Sequence, residues 1–178
     1  GGHAPFIVFD DANIDEAVTG ALQSKFRNSG QTCICTNRLF IHEKVYDSFL
    51  EKFTNEVKKI KVGNGLNDGI VSGPLIDKSS LDKVIDHVQD AVNTGAKIAV
   101  GGEVHSLGGN FYQPTVLSNV STEAKITFEE TFGPVAPLYK FSSDDEVIKM
   151  ANDTPYGLAS YFYSRDIGRI WRVAEALE

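Results

Sequence analysis

Along this chain, short unbroken apolar runs alternate with longer stretches in which apolar residues recur every three or four positions. The short runs suit strands buried on both faces, and the periodic stretches suit helices with one buried side. Phe6 to Phe9 reads as the first strand. Asp10-Asp11-Ala12-Asn13 then offers capping side chains, and Asp15 and Glu16 suit the first turn of a helix. That helix places Ile14, Ala17, Val18, Ala21 and Leu22 on one face and runs to about Phe26. Leu39 to Ile41 is the next strand. The following helix carries Val45, Phe49, Leu50, Phe53, Val57 and Ile60 on its stripe, with Lys58, Lys59 and Lys61 expected in its last turn.

The segment Val62 to Gly69 is rich in glycine, but it follows a helix and continues into more loop. It therefore reads as a surface connection and not as a phosphate loop. A helix from about Asp77 is expected to bury Leu81, Val84, Ile85, Val88 and Val92 and to stop at Gly95. Lys97 to Val100 and Tyr112 to Leu117 read as extended, the second as an edge or irregular strand because of Pro114. Val135 to Phe141 is a strand in which Pro137 again points to a boundary or edge. Asp144 to Asn152 is a short helix behind a Ser142-Ser143 cap, and Ala159 to Tyr163 a buried strand. A last helix has Ile167, Ile170, Trp171, Ala174 and Leu177 as its apolar face. Strands alternating with helices predict an α/β fold, with a mainly parallel sheet and helices on both faces. No repeat or low-complexity linker interrupts the pattern, so residues 1–178 are expected to form one domain.

A chain of 178 residues can bury a normal core, and 42% hydrophobic with 23% charged residues is an ordinary globular composition. The net charge of −7, without a basic stripe, argues against a nucleic-acid partner. No apolar run approaches the roughly 20 residues that span a bilayer, and no targeting leader is visible. Two cysteines do not make a disulfide framework, so an intracellular compartment, cytoplasmic or mitochondrial, is expected. His3, His42, His87 and His105 lie on different elements without ligand spacing, and no metal site is expected.

Both cysteines fall in Phe26-Arg27-Asn28-Ser29-Gly30-Gln31-Thr32-Cys33-Ile34-Cys35, between a helix and a strand. A free cysteine can be a small inert core residue. It can also be a nucleophile, and the polar neighbours Asn28, Ser29, Gln31 and Thr32, with the fixed charge of Arg27, favour a thiolate or an oxyanion here.

Arg27-Asn28-Ser29-Gly30-Gln31-Thr32-Cys33 resembles the nucleophile segment of the NAD(P)-dependent aldehyde dehydrogenase superfamily, in which Gly-Gln-x-Cys carries the reactive thiol. Gly1-Gly2-His3-Ala4-Pro5-Phe6 resembles the end of that family's Glu-Leu-Gly-Gly segment. Glu129-Glu130-Thr131-Phe132-Gly133-Pro134-Val135 resembles its Glu-Glu-x-Phe-Gly-Pro cofactor segment. The three motifs stand in the family's order. The resemblance implies that residues 1–178 are the catalytic domain, the thiol-bearing half of a longer chain, and that the fragment by itself has little turnover. It assigns Cys33 as nucleophile and one oxyanion donor to the Cys33 backbone N–H. The base would lie two places before Gly1.

By the same resemblance Glu130 binds the nicotinamide ribose of NAD or NADP, and Phe132 lies beside the nicotinamide. Arg27 is similar to the arginine that holds the distal carboxylate in the succinate-semialdehyde dehydrogenase group, and Cys35 to a second cysteine that forms a reversible disulfide with the first. A small-molecule aldehyde and a homo-oligomeric full-length protein are further expectations. Two other classes are a thiol-redox or metal-handling module built on Cys33-x-Cys35, and a non-catalytic oligomerisation module.

Overall fold

The computed structural model describes residues 1–178. In chain order the elements are β1 Ala4–Val8, α1 Ile14–Phe26, β2 Thr36–His42, α2 Tyr46–Val57, α3 Lys78–Asn93, β3 Lys97–Val100 and β4 Thr115–Ser118. They continue with α4 Lys125–Phe128, β5 Val135–Phe141, α5 Asp144–Asn152, β6 Tyr161–Tyr163 and α6 Ile167–Ala176. The sheet has six strands in the order β3-β4-β5-β2-β1-β6, and only the β3–β4 pair is antiparallel.

Strand residues alternate between two cores, as a pleat covered on both faces requires. Phe6, Val8, Leu39, Ile41 and Leu138 face α1 and α2. Ile7, Phe40, Tyr139 and Phe141 face α3, α5 and α6. The α/β class and the parallel sheet with two helical layers are as the pattern predicts. The caps at Asn13 and Ser143 also form, and Asp77 caps α3: each side chain accepts from backbone N–H in the turn that follows. Gly95, with φ of +109°, ends α3 in the left-handed conformation open to glycine.

Several details depart from the expectation. Thr115–Ser118 is fully buried between β3 and β5; Pro114 precedes the strand and so removes none of its ladder donors. Pro137 lies inside the central strand β5. It falls where pairing with β4 ends, at Leu117–Pro137, and pairing with β2 begins, at Leu39–Leu138. α2 stops at Val57, so Lys58, Lys59 and Lys61 lie beyond its last turn. On α6 only Val173 is buried, while Ile167 and Trp171 are largely exposed, and β6 is a half-buried edge strand. Ile85 and Val92 likewise stand at the margin of the core under α3.

The carboxyl-terminal rim of the sheet is held by charge. Arg169 on α6 reaches Asp10 at 3.1 Å, Asp11 at 2.9 Å and Asp144 at 3.1 Å. Asp11 also accepts the backbone N–H groups of Arg165 and Asp166. Those bonds and the Arg169 charge hold its carboxyl below the ordinary carboxylate range, against the opposing effect of burial.

Candidate active site

Three adjacent strands, β5, β2 and β1, run parallel, so their amino-terminal ends lie side by side. Each of the three sequence motifs immediately precedes one of them: Gly1 to His3 before β1, Arg27 to Cys35 before β2, and Glu129 to Pro134 before β5. Topology alone thus brings stretches about a hundred residues apart to one rim. It is the rim opposite to the carboxyl ends, where ligands of open α/β sheets usually gather.

The thiol loop is strained and tightly held. Asn28, Ser29 and Gly30 take φ values of 48°, 56° and 76°, three successive left-handed residues of which only one is glycine. Their surroundings explain how the conformation persists. The Ser29 hydroxyl donates to Gly73 O at 3.0 Å and lies 3.1 Å from the Ser72 hydroxyl. Gln31 donates to Pro74 O at 3.2 Å and accepts from Ile76 N at 2.9 Å. A Cβ on Gly30 would overlap the carbonyl oxygen of Gly133, so this glycine lets the thiol loop press against the segment before β5.

Cys33 and Cys35 are both free, and their environments differ sharply. Thr32 to Cys35 form a turn closed by Cys35 N–H donating to Thr32 O at 3.1 Å, with Cys33 exposed on its outer side. The backbone N–H of Cys33 donates to no group of the protein. Cys35 is buried, its sulfur 2.8 Å from the Thr32 hydroxyl and 3.6 Å from Arg27 O. Gly2 packs directly on the carbonyl of Cys33, where any side chain would collide. The Gly2 N–H donates to Glu130 Oε1 at 3.0 Å, so motif one joins motifs two and three.

Glu130 is half-buried, and Phe132 has φ of +57°, a strained conformation for an aromatic residue. Arg27 is exposed and makes no ion pair; it borders an open hollow of about 300 Å³ with Thr32, Ile34, Tyr161 and Tyr163. The Tyr161 hydroxyl fixes that wall by donating to Ile34 O at 2.8 Å.

Three polar residues around this rim are buried, a placement that the sequence reading did not foresee. His3 is 3% exposed and its Nε2 pairs with Thr127 O at 2.7 Å, while Nδ1 has no partner. Burial, chiefly, lowers its pKa from 6.5 to about 4. Lys25 is fully buried at the end of α1 without a hydrogen-bond partner for its ammonium. Burial pulls its pKa from 10.5 to about 8, opposed by Cys35 and Glu130. His87 is fully buried on α3 and uses both ring nitrogens. The signal was available: Lys25 follows Ala21 at four, and His87 follows Val84 at three, so each occupies an apolar stripe.

The model of the "Aldehyde dehydrogenase family" matches residues 1–178. A succinate-semialdehyde dehydrogenase [NADP(+)] of Escherichia coli, GabD, is 56% identical over the whole chain, which covers 37% of that protein. A 3-sulfolactaldehyde dehydrogenase of Pseudomonas putida is 54% identical with the same coverage. The crystal structure of succinate-semialdehyde dehydrogenase from Burkholderia pseudomallei superposes with a TM-score of 0.99 at 56% identity, over all of this chain and 37% of that one. The chain thus spans somewhat over a third of the length of these relatives, and with its three motifs gathered on one rim it belongs to the aldehyde dehydrogenase family.

Proposed function

We propose that this chain is the thiol-bearing part of an NAD(P)-dependent aldehyde dehydrogenase that oxidises an aldehyde bearing an anion at its far end, succinate semialdehyde or a close analogue. The observation that carries the reading is the exposed Cys33 with its unpartnered backbone N–H, set on a strained loop against Gly2 and Gly133. In this reading the Cys33 thiolate attacks the aldehyde carbon and a C–S bond forms. The negative oxygen that results is met by the Cys33 N–H, a donor fixed before the reaction, a type of contact worth about 3 kcal/mol of barrier.

Glu130 fits a dinucleotide by its chemistry: a carboxylate accepts from two hydroxyls, as a ribose diol offers, and Gly2 occupies only Oε1. Phe132 would lie beside the nicotinamide. When bound, the dinucleotide would supply the hydride acceptor for the thiohemiacetal carbon held on Cys33. Cys33 is then left as a thioester, which water hydrolyses to the acid and the free thiol.

The unpaired guanidinium of Arg27, beside its hollow, suits bidentate capture of an anion. The E. coli and P. putida relatives are named for aldehydes that carry a carboxylate and a sulfonate, which supports an anion clamp at this position. Cys35, buried two residues on, is the proposed redox partner of Cys33. No helix is long and apolar enough to cross a membrane. An intracellular setting fits the two free thiols, and the apolar surface of α6 supports further covering by chain or by like subunits.

The deciding experiment replaces Cys33 with Ala in the intact protein. NAD(P)-linked oxidation of succinate semialdehyde should vanish while cofactor binding persists. Retained turnover would remove Cys33 from the chemistry.

A further inference from the structure

We infer that His87 is a positioning residue for the dinucleotide: its buried imidazole on α3 grips both neighbours of Glu130 and so sets where that carboxylate points. The inference rests on the reading of Glu130 as a cofactor contact. His87 Nε2 is 3.1 Å from Glu129 Oε2, and Nδ1 is 3.0 Å from the Thr131 hydroxyl. A carboxylate only accepts, so the proton sits on Nε2 and donates to Glu129, leaving Nδ1 to accept from the Thr131 O–H. Burial lowers the pKa of the ring, against the opposing pull of Glu129, and so favours its neutral form.

The effect on Glu130 follows from what each residue of the segment meets. Glu129 and Thr131 both bond His87 on α3. Glu130, between them, turns elsewhere: its Oε1 meets Gly2 N, and Gly2 packs on the carbonyl of Cys33. The same face of α3 secures the segment twice more. Lys83, one turn before His87, donates to Glu130 O at 2.5 Å. Val84 packs on Gly133 so closely that a side chain there would collide. Phe132 holds its left-handed φ between these two grips.

The test uses the intact enzyme, with NAD+ and NADP+ as probes, titrated by quenching of protein fluorescence. His87→Ala should raise the cofactor Kd by about tenfold, the order expected for losing a buried hydrogen bond. The KM for aldehyde and the rate of Cys33 alkylation by iodoacetamide should stay as in the parent. His87→Gln, whose terminal amide can donate to Glu129, should recover most of the affinity. An unchanged Kd in folded His87→Ala overturns the inference. So does a joint rise of the cofactor and aldehyde constants that Gln does not rescue, since that describes a merely structural residue. Should His87→Ala fail to fold, Thr131→Val removes one of the two bonds from the opposite partner, and the same loss or its absence decides. Glu130→Gln separates the two readings. If it leaves the Kd unaltered, the cofactor reading falls and this inference with it; if it weakens binding and His87→Ala does not, only this inference falls.

Discussion

Lys25→Met should stabilise the protein, although it removes a charge from a position next to the site. The ammonium is fully buried and has no hydrogen-bond partner. Its pKa falls from 10.5 to about 8, which at 1.36 kcal/mol per pH unit corresponds to a penalty of about 3 kcal/mol for keeping it charged when folded. Met matches the stem in length and needs no partner. The pH dependence is the more stringent check. Below pH 8 both folded and unfolded chains carry the proton, so the full penalty applies and the Met variant keeps its whole advantage. Between pH 8 and 10.5 the unfolded chain holds a proton that the folded one has lost, so the parent gains stability as pH rises. The advantage of Met should therefore shrink across that window and be small above it. Urea unfolding followed by circular dichroism at pH 7, 8.5 and 10, parent against variant, measures this directly. A Met variant no more stable at pH 7, or an advantage that does not change with pH, would refute the reasoning.

Further tests address other parts of the rim. His3, with its pKa lowered from 6.5 to about 4, is neutral when folded, so its contribution is complete above pH 6.5 and is lost as pH falls towards 4, by about 3 kcal/mol. His3→Gln should flatten that part of the acid stability profile in parallel urea titrations. Arg27→Ala in the intact protein should lower kcat/KM for succinate semialdehyde by about a hundredfold, the scale of a charge-assisted pair. It should leave a neutral aldehyde of equal length little changed; equal losses on both would remove the anion clamp. Gly30→Ala meets the Gly133 carbonyl at a φ of +76°, and strain of about 1 to 3 kcal/mol should appear as a lower unfolding midpoint together with slower Cys33 alkylation.

The sheet was legible because both of its faces are covered. Phe6 to Phe9 is an unbroken apolar run, as strands buried on two sides give, and Val135 to Phe141 alternates well enough to read as a strand. The helix starts were legible because Asn13, Asp77 and Ser143 cap through their own side chains, a local matter. Strand rank was not. Pro114 and Pro137 argue for edges on local grounds, and only the register explains why a prolyl residue is tolerated between two ladders. At the site, the motifs located Cys33, Glu130 and Phe132, each of which lies on the shared rim. The support beneath them stayed hidden: Ser72 to Ile76 act through contacts that no local spacing encodes, and the stripe positions of Lys25 and His87 signal burial without naming what lies around each side chain. The apolar face drawn for α6 misled in the other direction: Ile167 and Trp171 have the right spacing and lie largely uncovered.

The two ends of the sheet have separate duties, and that gives a practical handle. Glu43 and Lys44 stand exposed just after β2, whereas Cys33 lies shortly before it. A seven-residue strand spans roughly 20 Å, so a fluorophore or affinity peptide spliced there would ride far from the sulfur. The Arg169 cluster, with Asp10, Asp11 and Asp144, braces the neighbouring turns on that side. The far side of the molecule is accordingly where labels and immobilisation tethers belong.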